Sequence, residues 1–116
     1  MNSGQDLMQD LQTLLRKLDA ALNELPRRGR SFASAEHDYR VAMAQKILIL
    51  RDQKIPVTII GDLVRGDREI ARLRLERDIC ETVYEAAQET IRVWKLQAGL
   101  AEAQIGREWG RKDQMP

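Results

Sequence analysis

Very little in this sequence can cross-link, ligate a metal or build a sheet. It holds one cysteine, Cys80, and one histidine, His37. A lone cysteine excludes an intrachain disulfide and a multi-cysteine zinc site. Aromatic residues are confined to Phe32, Tyr39, Tyr84, Trp94 and Trp109, and β-branched runs are scarce, which argues against a sheet. Neither charge sign dominates: 19 Lys and Arg stand against 18 Asp and Glu. The molecule therefore has no overall field for a polyanion, and any nucleic-acid site has to be local. Apolar runs are short as well. None exceeds the four residues of Ile47 to Leu50, which falls far below the length of a bilayer span. The start, MNSGQDLMQD, has neither a basic n-region nor an apolar h-region. These features predict a cytosolic protein.

What the chain has in quantity is Ala, Leu, Arg, Glu and Gln, and these favour helix. Its 116 residues suit one domain with a modest core. The strongest pattern lies between Ile70 and Ile105. Core-type residues fall there at steps of three and four: Ile70, Leu73, Cys80, Tyr84, Ala87, Ile91, Trp94, Ala98, Ala101 and Ile105, with Arg77 in an apolar slot. An unbroken helix over this stretch would be roughly 54 Å long, too long to cover its own stripe. Other helices must cover it, and the first functional expectation is that the protein works by association.

Earlier in the chain, Leu7, Leu11, Leu14, Leu18, Ala21 and Leu25 make a similar stripe, widened by Met8, Leu15 and Leu22. This predicts a first helix over about 5–25, stopped by Pro26. A second is predicted over about 32–53, with Ser31 or Ser34 as N-cap. Apolar residues cover several of its faces, so it is expected at the centre of a bundle or at a subunit interface. The connector 54–66 reads as a short helix, with Pro56 in its first turn, Gly66 as its left-handed cap and Asp67 as N-cap of the next helix. The apolar residues Ile55, Val57, Ile59, Ile60, Leu63 and Val64 are expected to close one end of the bundle. The third helix is predicted over about 68–105, solvated by opposite charges four apart such as Arg72 with Glu76, Arg74 with Asp78 and Arg77 with Glu81. A polar tail, 110–116, follows. The expected fold is all-α: an antiparallel helical hairpin or three-helix, coiled-coil-like bundle with a short connector helix, one domain over 1–116.

Catalytic patterns are lacking. Glu36, His37 and Asp38 are consecutive, and consecutive residues of a helix point about 100° apart, so the triplet reads as a solvated surface. No nucleophile elbow, P-loop or dinucleotide fingerprint is present. The chain is expected to be no enzyme, with no catalytic residue, cofactor or metal.

Binding residues are easier to nominate. Pro26-Arg27-Arg28-Gly29-Arg30 is the densest positive charge in the chain. It reads either as a solvated loop or as a phosphate-contacting patch. Trp109 stands beside Arg107, Arg111 and Lys112, a combination compatible with stacking on unpaired bases and equally with docking on a protein. Trp94 sits on the seam. Arg77 in the seam can snorkel past a neighbour, pair with an acid such as Glu81, or fix register and oligomeric state.

One resemblance rests on Tyr39-Arg40-Val41-Ala42-Met43-Ala44-Gln45-Lys46, the connector ending Arg65-Gly66-Asp67, and the late run Ile91-Arg92-Val93-Trp94-Lys95. Taken together these resemble small helical proteins of bacteriophages and prophages, some of them similar to the recombination mediator of T4-type phages. The resemblance implies an oligomeric helical protein that binds single-stranded DNA and helps load a recombinase. The family's lysine- and arginine-rich DNA-binding stretch has no counterpart here outside Arg27, Arg28 and Arg30. The sequence thus leads to two functional expectations. One is an accessory of DNA recombination or replication that touches single strands through Arg27, Arg28, Arg30 and Arg107, Arg111, Lys112. The other is an adaptor or host-protein inhibitor that binds a protein through its helix face, Trp94, Arg77 or Trp109. Either is expected to be a homo-oligomer, a dimer formed by antiparallel packing of the second and third helices.

Overall fold

The computed structural model describes residues 4–114, and the backbone alone for 112–114. The described residues form three helices: α1, Gly4–Asp52; α2, Val57–Gly66; and α3, Arg68–Gln114. Among the described residues there is no strand. The chain divides into two compact units, Met1–Pro26 with Ala86–Pro116, and Arg27–Glu85.

In the first unit Leu11 packs with Ala98 and Ile105, flanked by Leu7, Leu14 and Ala101. All are seam positions of the two stripes read from the sequence, whereas Met8, Leu15 and Leu22, beside the seam, are exposed. In the second unit Leu50, Ile60, Val64 and Ile70 form a cluster against which Tyr39, Ala42, Met43, Ile47 and Ile55 pack. Here α1 and α3 run antiparallel. Gly29 meets Tyr84, Glu36 pairs with Arg77 and Lys46 pairs with Asp67 at 3.4 Å. Every residue of the Ile70–Ile105 stripe, Arg77 included, is buried or half-buried.

Pro26 does not end a helix; it lies inside α1. The residue is exposed, so its ring projects away from α3, and the Leu22 carbonyl that loses its partner sits at an exposed turn within reach of water. The seam itself passes through the break. After Leu25 it continues with Arg28, Phe32, Ala35, Tyr39, Ala42, Lys46 and Leu50, all buried or half-buried. Packing on both sides of Pro26 outweighs its local preference, and neither Ser31 nor Ser34 caps a separate helix. The residues 32–53 are not covered all round either. Val41, Leu48 and Ile49 are exposed, because one long helix and one short one can cover only a single stripe of α1.

At the end of α1, Lys54 takes a left-handed conformation with φ 60°. Its N–H donates to the Arg51 carbonyl at 2.9 Å, and the Ile55 N–H to the Leu50 carbonyl at 3.1 Å. This is a Schellman cap without glycine, clasped by the packing of Ile55 on the Leu50 cluster. Pro56 precedes α2 as its N-cap. Gly66 is not a left-handed cap, since no described glycine has positive φ. Asp67 is extended at φ −65°, ψ 131° and ends α2. Its Oδ1 also accepts the Ile70 N–H at 3.0 Å and so begins α3. Within the connector Ile60 and Val64 are buried, but Val57, Ile59 and Leu63 are exposed. A ten-residue helix has only one inward face.

The third helix does not stop near Ile105. It continues through Gly106 and Gly110 to Gln114, carried by the burial of Ala98 and Ile105, which offsets a glycine cost of about 1 kcal/mol each. The tail expected at 110–116 is therefore helical as far as Gln114, and Met115 and Pro116 lie outside the described residues.

Candidate association face and arginine cluster

The nominated residues fall into both units. Arg27, Arg28 and Arg30 belong to the second. They sit on a continuous helix, so they point in different directions: Arg28 takes a half-buried seam position, while Arg27 and Arg30 are exposed. Around them the surface is concave. One open groove is lined by Arg27, Arg30, Ser31, Ser34, Ala35 and Asp38 of α1 with Glu76 and Cys80 of α3. A smaller hollow beside it is lined by Arg27, Arg28, Ser31, Ile79, Cys80 and Val83. The arginines thus share their groove with two acids and a floor of small side chains, Ser31, Ser34, Ala35 and Cys80.

Cys80 lies in that floor. Burial pushes its thiol up, and nearby Glu76 raises it further, with Sγ 3.7 Å from Glu76 Oε1. It stays protonated and is a weak nucleophile. Of the acid triplet, only His37 and Asp38 meet, at 3.2 Å. Glu36 faces the seam instead and binds Arg40 Nε at 2.5 Å and Arg77 at 3.4 Å. The Arg40 hydrogen bond, and after it Arg77, holds the Glu36 carboxyl below the usual glutamate range.

Arg77 is turned into the fold, its side chain 21% exposed. The guanidinium lies 4.7 Å over the Tyr39 ring, and its acid partners are Glu36 and, at 2.7 Å, Asp78, rather than Glu81. Among the surface arginines Arg72 turns to Glu69 at 2.6 Å instead of to Glu76. In the first unit Trp94 is half-buried in the seam and Trp109 is 57% exposed. Arg107 is exposed, and Arg111 is 3.8 Å from Glu108. The side chain of Lys112 lies outside the described residues.

Sequence reasoning passed over three residues. Leu75, Ile79 and Val83 stand four apart on α3 with 61%, 49% and 40% of their surface exposed. They form an apolar row on the solvent side of a helix already buried along its other stripe. The signal was present in the spacing, but the row lies between charged positions that read as a solvated face.

No protein-family model, curated protein or solved structure matches this chain. Among the described residues no three His, Cys, Asp or Glu side chains are grouped so as to hold a metal ion. None of the described helices is long and apolar enough to cross a membrane. Val41, Leu48, Ile49, Val57, Ile59 and Leu63 of the second unit are exposed as well, on α1 and α2; the row on α3 differs from them in lying beside the groove that the arginines line.

Proposed function

We propose that the chain is a cytosolic, non-enzymatic association module that recognises another protein surface through the Leu75–Ile79–Val83 row. The observation that carries this reading is the exposure of three large aliphatic side chains on one helix face. Uncovered, that face costs free energy in water; covered by another helix, each side chain contributes on the order of 1 kcal/mol or more. Recognition of this kind follows helix-in-groove physics, in which the apolar side chains of one helix face are the anchors. A photo-crosslinking amino acid at position 79, in the cell that makes the protein, tests it. The reading expects discrete adducts from position 79 and none from Leu48, which is more exposed, on α1. The absence of any adduct from position 79 contradicts it.

A second reading keeps single-stranded DNA as the ligand and the protein as a phage or prophage accessory of recombination or replication. Three arginines within one turn of α1 favour it. Asp38 and Glu76 on the same groove count against it, because a track for phosphates gains little where acids alternate with bases. Binding to a fluorescent oligonucleotide that strengthens as salt falls would support this reading. No binding at low salt would remove it.

A further inference from the structure

We infer that the partner of this face is a second copy of the chain, lying antiparallel about an axis through Ile79 and Ser34. This deepens the association reading above and rests on it. The order of charge along the groove favours this orientation. On α1, Arg30 and Asp38 both line it and stand four residues either side of Ser34. On α3, Leu75 and Val83 stand four residues either side of Ile79. The contacts Gly29 with Tyr84 and Glu36 with Arg77 place Ser34 level with Ile79.

A two-fold axis at that level therefore sets Arg30 of each copy beside Asp38 of the other, twice, and Leu75 against Val83, twice. A parallel copy would set arginine against arginine and aspartate against aspartate. The rest of the unit follows the same rule. From Arg68 to Glu76 α3 carries three arginines and two glutamates, Arg77 being turned into the fold, whereas from Asp78 to Glu85 its only charges are three acids. An antiparallel neighbour brings the basic end of each α3 onto the acidic end of the other. At the centre of the contact the floor is small, with Ser31, Ser34, Ala35 and Cys80, so two helices can approach closely. A self-complementary patch of this form is what an isologous dimer requires.

The test is the mass of the full-length protein in solution, by light scattering over a concentration series. The wild type is expected at twice the chain mass and Ile79→Glu at the single-chain mass, while Leu48→Glu leaves the dimer intact. Arg30→Glu and Asp38→Arg are each expected to raise the dimer dissociation constant roughly tenfold, because two attractions become two repulsions. Both changes together in one chain restore it. Orientation is read by cysteine cross-linking in a Cys80→Ser background. A mixture of Leu75→Cys and Val83→Cys chains forms a disulfide under mild oxidation, and Leu75→Cys alone does not.

A single-chain mass at roughly 100 μM, failure of the doubly reversed chain to recover, or self-linking of Leu75→Cys overturns the inference. A monomer that still gives adducts of another mass from position 79 sinks the second copy and leaves the association reading standing. A monomer with no adduct ends both.

Discussion

Tyr84 lies across Gly29, so close that a Cβ on the glycine would stand 3.2 Å from the ring's Cε1. The ring is also 6.2 Å from Phe32, centroid to centroid. A helix would ordinarily favour alanine at position 29 by about 1 kcal/mol, but here that gain is set against the displacement of the ring. We expect Gly29→Ala to be near neutral and Gly29→Leu to destabilise by about 2 kcal/mol through overpacking. Gly99 and Gly106 have open space around them, so Gly99→Ala and Gly106→Ala should each stabilise by about 0.5–1 kcal/mol. Urea unfolding midpoints of the four variants distinguish a packing glycine from two that merely weaken the helix.

Pro26 offers the reverse test. It sits on the exposed face of a helix that continues in both directions, and an interior proline costs a helix about 3 kcal/mol. Pro26→Ala should therefore stabilise the protein by about 1–3 kcal/mol and raise its far-UV helical signal. A loss of stability would mean that Pro26 terminates a helix after all.

The long stripe of α3 was legible from spacing alone, because steps of three and four residues sustained from Ile70 to Ile105 match one face of a helix and no other regular backbone. Continuity of α1 was not, although the same steps run through it. Leu25, Arg28, Phe32, Ala35 and Tyr39 keep them across Pro26, but with an arginine on the seam and a glycine next to it the local break outweighs the pattern. The arginine cluster was legible as residues and not as a surface. Only the fold brings Asp38 and Glu76 into the same groove as Arg27 and Arg30. The exposed row at Leu75, Ile79 and Val83 stayed hidden for a different reason: it alternates with Arg74, Glu76, Asp78 and Glu81, whose charges mark that face as solvated.

Arg77 separates charge from packing. Its guanidinium covers Tyr39 and reaches Glu36 and Asp78, so truncation removes a cation–π contact and the packing of the aliphatic stem together. Arg77→Ala should cost on the order of 1 kcal/mol. Arg77→Leu should cost less or stabilise, since an apolar residue suits the slot and Glu36 keeps Arg40. If Leu and Ala are equally damaging in thermal melts, the charge pairs and not the packing hold this position.

Asp67 gives the fold a defined acid limb. Its carboxyl is held below the ordinary aspartate range, first by the Ile70 N–H, against a burial that pushes the other way, and further by Lys46. Because the folded value is the lower one, the stabilisation is fully present above the ordinary value. It is lost as pH falls through the depressed one, below about pH 4. Asp67→Asn retains an acceptor for the cap and loses the charge. It should lower stability modestly at about pH 7 and shrink the loss that sets in below about pH 4, as followed by urea midpoints. An unchanged acid limb would show that Asp67 does not contribute to it.

The most direct test is the solution mass of the wild-type chain with and without a short single strand of DNA, beside the same measurement on Ile79→Glu. The account predicts twice the chain mass, no change on adding the strand, and a single folded chain for the variant. A wild-type chain that stays single at every concentration, or whose mass rises only when the strand is added, contradicts it.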